Sequence, residues 1–169
     1  MIRYALAARA FVLKVSGALA WVAPTLARLT LGLVFVGTGW GKLHNLPRVV
    51  DYFTSLGIPA PQLQAPFVAG VELVGGLLIL AGLFTRVASV PMAATMVVAL
   101  LTAKRGDIQG LTDLFGTIEW LYLVGFAFLA AYGPGALSLD ALLVHRLAAQ
   151  EEPGGVASPA APVVAASRS

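Results

Sequence analysis

The chain has 169 residues, of which 59% are hydrophobic and 11% are charged, and its mean hydropathy is +0.87. Soluble domains contain about 45–50% apolar and about 25% charged residues. This chain therefore has too few polar side chains to cover a water-exposed surface. The composition argues against an ordinary soluble enzyme and predicts an integral membrane protein with four or five spans.

The numbers of charged residues, cysteines and histidines exclude further classes of function. Eleven Lys and Arg residues stand against eight Asp and Glu, and they are scattered, so we expect no nucleic-acid partner. The chain has no cysteine, which excludes disulfides, thiol redox chemistry and Cys-ligated zinc or iron–sulfur clusters bound by this chain. His44 and His145 are predicted on opposite sides of the membrane, so no metal site is predicted.

The N-terminal segment, residues 1–21, is apolar but interrupted by Arg3, Arg9 and Lys14. A signal peptide requires an unbroken apolar run after its basic start, and Arg9 and Lys14 break that run. We therefore expect an amphipathic helix lying on the membrane surface, with a cleavable signal as the alternative.

Residues 22–149 are expected to form one membrane domain. A short amphipathic helix is predicted at 47–56 between the first two spans, and another at 141–149 after a cap at Ser138–Asp140. The tail, residues 150–169, is rich in Ala, Pro, Gly and Ser and is predicted to be disordered. The four spans are predicted at residues 22–42, 64–84, 87–103 and 117–132.

The loop charges predict the orientation. With the N-terminus inside, six Lys or Arg residues lie on the inner side and four on the outer side. Cytoplasmic loops carry the excess of basic residues. We therefore expect a multi-pass protein with both termini in the cytoplasm.

Three charged residues fall inside the predicted spans: Arg28, Glu72 and Glu119. A charge at the bilayer centre costs at least about 2.5–3.5 kcal/mol and normally faces the bundle interior. At 100° per residue, both spans carry a stripe of charged residues and glycines, and we expect the two stripes to face each other. The stripes comprise Arg28, Gly32, Phe35, Gly39 and Lys42 on the first span and Glu72, Gly76, Ile79 and Leu83 on the second.

Depth distinguishes the possible partners of Glu72. At 1.5 Å per residue, Arg28 and Glu72 differ by about 9 Å in depth, so Lys42 reaches Glu72 or Glu119 more easily. These residues predict an outward-opening polar pocket with Trp40, Trp120 and Tyr122 near its rim. A carboxyl group in apolar surroundings holds its proton more readily, which suits proton transfer. The alternative is that the charges are structural pairs that fix the helix register.

Several motifs resemble the DoxX family of small integral membrane proteins. Their order and spacing match that family over roughly residues 24–147. The motifs are Arg28-x-x-x-Gly32, Gly39-Trp-Gly-Lys42, Leu56-Gly-Ile-Pro-Ala-Pro61, Glu72-Leu-Val-Gly75-Gly76 and Gly82-Leu-Phe-Thr85-Arg86.

The resemblance implies an all-α fold, a four-helix transmembrane bundle with short interfacial helices, in a prokaryotic cell membrane. It also implies a subunit of a quinone-linked redox system that works with partner proteins or as a homo-oligomer. In that hypothesis Glu72, Glu119 and Lys42 are catalytic, and Trp40, Trp120, Tyr122 and Arg28 bind the cofactor, a quinone. The alternatives are a non-catalytic membrane scaffold or assembly subunit and a small-solute transporter. Four spans without discontinuous helices argue against the transporter.

Overall fold

A computed structural model describes residues 2–150 of the chain, most of which are helical, with no strand among them. Eight helices follow one another in this part of the chain, joined by short turns. They are α1 (Ile2–Leu19), α2 (Val22–His44), α3 (Leu46–Ser55), α4 (Pro61–Ala81), α5 (Thr85–Leu101), α6 (Leu111–Gly116), α7 (Ile118–Tyr132) and α8 (Leu139–Gln150).

The four predicted spans correspond to α2, α4, α5 and α7, so the predicted all-α bundle is confirmed. By length and composition, the stretches Arg9–His44 and Pro61–Ala81 can each cross a membrane, while α5 and α7 are apolar but shorter. The predicted boundaries shift by a few residues, most at α4, which begins at Pro61. Proline is well tolerated in the first helical turn because the backbone N–H there needs no helical partner.

The bundle is a ring of the four helices α2, α4, α5 and α7. The most extensive contacts join α2 to α4 and α5 to α7, and smaller contacts of α4 with α5 and of α2 with α7 close the bundle. A turn of three residues, 82–84, joins α4 to α5, so these two helices run antiparallel. Helix α3 packs against α4 at the opposite end, where α2 ends.

Glycines bring α2 and α4 into close contact. A Cβ atom at Gly32 would lie 2.8 Å from the backbone of Leu80, and one at Gly76 would lie 2.7 Å from the backbone nitrogen of Val36. A Cβ at Gly39 would overlap the backbone of Leu73. The two predicted stripes therefore do face each other, and small residues permit the close approach that membrane helices use for packing.

The centre of the bundle is apolar and aromatic. Phe35 contacts two rings of α7 edge to face, with ring centroids 5.2 Å from Tyr122 and 4.9 Å from Phe126. Met92 packs against Gly75, where a Cβ would lie 2.6 Å from the methionine sulfur. These contacts close the middle of the bundle and form the floor of the space described below.

Hydrogen bonds at the α4–α5 turn connect this end of the bundle to the segment that begins α8. Gly82 adopts a left-handed conformation with φ of 71°, and the backbone N–H of Phe84 donates to Asp140 Oδ1 at 3.0 Å. Ser138 Oγ accepts from the N–H of Ala141 at 3.1 Å, so the predicted cap of the last helix is confirmed. Arg28 is buried here, and its Nη2 donates to the carbonyl oxygen of Leu137 at 2.6 Å.

Two segments differ from the simple four-span picture. Helix α1 is exposed at every residue from 9 to 19, and its position on the membrane surface stays a prediction. Helix α6 lies between the third and fourth predicted spans, where no helix was predicted, because six residues are too few to show helical periodicity. The predicted disordered tail lies outside the described residues, except for Gln150 at the end of α8.

Candidate functional site

A cavity of about 790 Å³ lies at the end of the bundle where α3 is found. Five helices contribute to it: α2, α3, α4, α5 and α7. Sites for small organic ligands typically have volumes of about 300–1,000 Å³. The cavity is therefore large enough for such a ligand and reaches from the bundle end down to Phe35 and Met96.

Helix α3 forms the cover of this cavity. Its first residues after Asn45 include Pro47, which suits a helix start, and Gly57 ends the segment with φ of 69°. Val49 and Phe53 are half-buried and face the cavity together with Leu56. The apolar side of α3 thus closes the space, while Asp51 stays exposed.

An ion pair lies within the cavity wall. Lys42 Nζ donates to Glu72 Oε1 at 2.5 Å, and the side chains are 32% and 3% exposed, respectively. Glu72 Oε2 is buried and has no hydrogen-bond partner among residues 2–150. A buried charge needs several hydrogen bonds to offset the loss of water. The pair therefore leaves one carboxylate oxygen able to accept a further hydrogen bond.

A second carboxyl group lines the same cavity from α7. Glu119 lies in the first turn of this helix, where the helix dipole favours a negative charge. Its Oε2 is also buried without a hydrogen-bond partner in the described part of the chain. Tyr122, almost one turn further on, lines the cavity as well. The cavity thus brings together Lys42, Glu72, Glu119 and Tyr122, all of which the sequence placed in one pocket.

The wall formed by Phe67 of α4 and the lining residues of α5 carries no charged side chain. Phe67 and Val98 line it and are 69% and 48% exposed, so this side opens toward the surroundings of the bundle. Thr95 of α5 and Thr102, which directly follows this helix, also line it, but their hydroxyl groups donate to the α5 carbonyl oxygens of Met92 and Val98, both at 2.7 Å. Those hydroxyl protons are thus already engaged.

Three residues predicted at the site lie outside the cavity lining. Arg28 is at the opposite end of the bundle, about 21 Å along α2 from Lys42, and binds the Leu137 carbonyl. Trp40 is 58% exposed and its ring centroid lies 4.2 Å from that of His44. Trp120 packs against Phe115 with centroids 5.3 Å apart.

Sequence reasoning missed other parts of the lining. Arg48 of α3 and Gln64 of α4 line the cavity near its exposed end, and neither was predicted at the site. The apolar face of the 47–56 helix was a usable signal, because such a face must pack against something.

The DoxX family model matches residues 23–105. The chain also aligns with curated membrane proteins at above 30% identity over most of their length. The chain belongs to the DoxX family. The predicted resemblance is thereby confirmed, and the protein is a membrane protein.

Three relatives illustrate the similarity. The "Inner membrane protein YqjF" of Escherichia coli is 32% identical over 69% of this chain and 88% of its own length. The "Putative oxidoreductase CatD" of Bacillus subtilis is 31% identical over 68% of this chain and 82% of its own. The "Uncharacterized membrane protein Rv3486" of Mycobacterium tuberculosis is 36% identical over 72% and 82%. No solved structure matches the chain.

The residues matched by the DoxX family model include the α2 to α5 part of the cavity lining but not the α7 part. The match spans α2 to α5 and thus both Lys42 and Glu72. Glu119 and Tyr122 of α7 lie beyond the matched residues. The ion pair is therefore in the DoxX core of this chain, and the second carboxyl group is a feature of the segment that follows it.

Proposed function

We propose that this DoxX protein is a membrane subunit of a redox system and binds a quinone in the cavity beside Lys42 and Glu72. One observation carries the proposal: the Lys42–Glu72 ion pair, whose Glu72 Oε2 has no hydrogen-bond partner in the described part of the chain, lines a large cavity whose α5 side carries no charged residue. A ligand for this space needs both polar atoms and apolar surface. Membrane quinones have this combination.

The residues present fit a quinone ring. The Lys42 ammonium and the Tyr122 hydroxyl are hydrogen-bond donors suited to carbonyl oxygens. Phe35 provides an apolar aromatic surface below them, held in place by Tyr122 and Phe126. A volume of about 790 Å³ leaves room for a ring and the first part of its tail.

When bound, a quinone supplies two-electron, two-proton redox chemistry. In this proposal the Lys42 ammonium delivers one proton to a ring oxygen and regains it from water, since its side chain is 32% exposed. The unpartnered Glu72 Oε2 accepts a hydrogen bond from the hydroxyl group so formed, and Glu119, which lines the same cavity, passes the second proton to the other ring oxygen. Lys42 keeps Glu72 in position and orients the ring through its remaining N–H groups. The electrons come from a partner protein or a soluble donor, since the chain has no cysteine that could carry them as a thiol. The oxidoreductase name of the CatD relative supports this class of function.

Quinone titration tests the proposal. Purified protein in nanodiscs is titrated with decylubiquinone by isothermal calorimetry, as wild type, Glu72→Gln and Asp51→Asn. Asp51 is a matched control, because it is an exposed carboxylate of α3 at the same end that does not line the cavity. We expect Glu72→Gln to weaken binding by about tenfold and Asp51→Asn to leave it unchanged. Equal affinity in all three proteins would contradict the proposal.

A non-catalytic scaffold is the second candidate, and α1 is the observation that favours it. This helix is exposed at every residue from 9 to 19, including the apolar Phe11 and Val12. Such a surface suits either the membrane interface or a partner protein. A stable partner that copurifies with the wild type but not with a chain lacking residues 1–19, without bound quinone in either, would favour the scaffold.

A further inference from the structure

Helices α4 and α5 are joined at one end of the bundle, and toward the other end both line the cavity. The turn 82–84 and the contact of Met92 with Gly75 hold them together. Beyond that level the facing sides of both helices line the cavity. The lining residues of α4 are spaced three and four apart, as on one helical face: Gln64, Phe67, Val68, Val71 and Glu72.

The gap between these helices has no charged side chain on its α5 side. Along α5 the lining includes Pro91, Ala94 and Val98, all exposed. Thr95 and Thr102 donate their hydroxyl protons to carbonyl oxygens of α5. A polar ligand therefore finds no charged partner in the gap. A hydrocarbon chain has about the same solvation free energy there as it has in lipid.

The polar and apolar parts of the cavity are continuous. Phe67 and Glu72 are about 140° apart around α4, and Val68 and Val71 line the cavity between them. Gly75, where α5 closes the gap, follows Glu72 by less than one turn. The gap therefore reaches down to the level of the ion pair. A ring held at Glu72 has a direct apolar path to the bilayer.

We infer that the gap between α4 and α5 is a side portal for the hydrocarbon tail of the ligand, lined by Phe67, Pro91, Ala94 and Val98. This assignment rests on the proposed function and specifies its ligand class: a ring with a long apolar tail, entering from the bilayer. Because lipid is as apolar as the portal, the portal acts by shape. It admits the tail while the ring reaches Lys42 and Glu72.

Substitution of Ala94 by tryptophan tests the portal by filling it. Val90→Trp is the matched control, because Val90 is exposed on the same side of α5, one turn away, and does not line the cavity. Both variants are titrated in nanodiscs with decylubiquinone and with the same ring lacking its tail. We expect Ala94→Trp to weaken decylubiquinone binding by about tenfold and to leave binding of the tail-less ring within about twofold. Val90→Trp should bind both as the wild type does.

Photolabelling provides a test that does not depend on a variant folding. Decylubiquinone with a diazirine at the end of its tail is bound to wild-type protein and activated by light. Labels on the α4 and α5 segments around Phe67 and Ala94 are expected, and labels confined to the exposed face of α2 would overturn the portal. Unchanged or equally weakened binding of both quinones by Ala94→Trp would also overturn it. A wild type that binds neither quinone would instead overturn the proposed function.

Discussion

Lys42 Nζ lies 2.5 Å from Glu72 Oε1, and the two residues are unequally exposed: the lysine side chain is 32% accessible and the glutamate 3%. The lysine is at the end of α2 and can turn its ammonium group toward water, as long basic side chains do near helix ends. The carboxyl group of Glu72 is too deeply buried to reach water in this way. Removal of the lysine and removal of the glutamate should therefore lower the stability of the fold by different amounts.

We predict that Lys42→Met lowers the free energy of unfolding more than Glu72→Gln does. Lys42→Met leaves the buried carboxylate without its cation, at a cost of about 2–3 kcal/mol, whereas Glu72→Gln leaves a lysine that can reorient, at about 1 kcal/mol. Thermal unfolding in detergent measures both. The double variant should regain part of the loss. Additive losses without coupling would show that the contact does not stabilise the fold.

Close packing of α2 on α4 yields a second prediction. Gly39→Ala should destabilise the bundle by about 1–3 kcal/mol, because its Cβ would overlap the backbone of Leu73. Gly37→Ala is the control in the same helix, where a Cβ has nothing within 4 Å. It should leave stability unchanged or raise it by up to about 1 kcal/mol. Equal melting temperatures for both variants would contradict the interface.

The separation of Arg28 from the cavity yields a third prediction. Arg28→Met removes the hydrogen bond to the Leu137 carbonyl, and we expect a loss of about 1–3 kcal/mol in stability. Quinone affinity of the folded variant should stay within about twofold of wild type, as measured by the same titration. A tenfold loss of affinity without loss of stability would return Arg28 to the site.

The orientation of the bundle is a fourth prediction. The chain has no cysteine, so a single introduced cysteine is its only thiol and its labelling reports the position of that residue alone. Cysteines at Arg48 and Gln109, both exposed, should react in intact cells with a maleimide that does not cross the membrane. A cysteine at the exposed Arg86 should react only after lysis. Reaction at position 86 alone in intact cells would reverse the orientation.

Helical periodicity and depth were sufficient to predict much of this structure. They placed Lys42 and Glu72 on facing stripes with the three glycines that permit contact, Gly32, Gly39 and Gly76, because a buried charge needs a partner and few are within reach. Depth favoured Lys42 as the partner of Glu72 but left Arg28 as an alternative. Arg28 binds a carbonyl of the segment that folds back before α8, and the path of such a glycine-rich segment depends on tertiary contacts.

The tryptophans show where depth alone misleads. Trp40 was placed at the rim because of its depth, yet it lies two residues from Lys42 and therefore about 200° around the helix. It accordingly faces outward. The role of α3 as the cavity cover was also missed, since its apolar face indicates burial but not the partner it is buried against.

Quinone content of the protein in its native membrane tests the central claim most directly. Wild type, Glu72→Gln and Asp51→Asn are extracted in polymer nanodiscs with their surrounding lipid, and quinone per chain is measured by mass spectrometry. We predict quinone enriched over the bulk membrane in the wild type and in Asp51→Asn, and reduced to the bulk ratio in Glu72→Gln. Quinone at the bulk ratio in all three would contradict a quinone site at the Lys42–Glu72 pair.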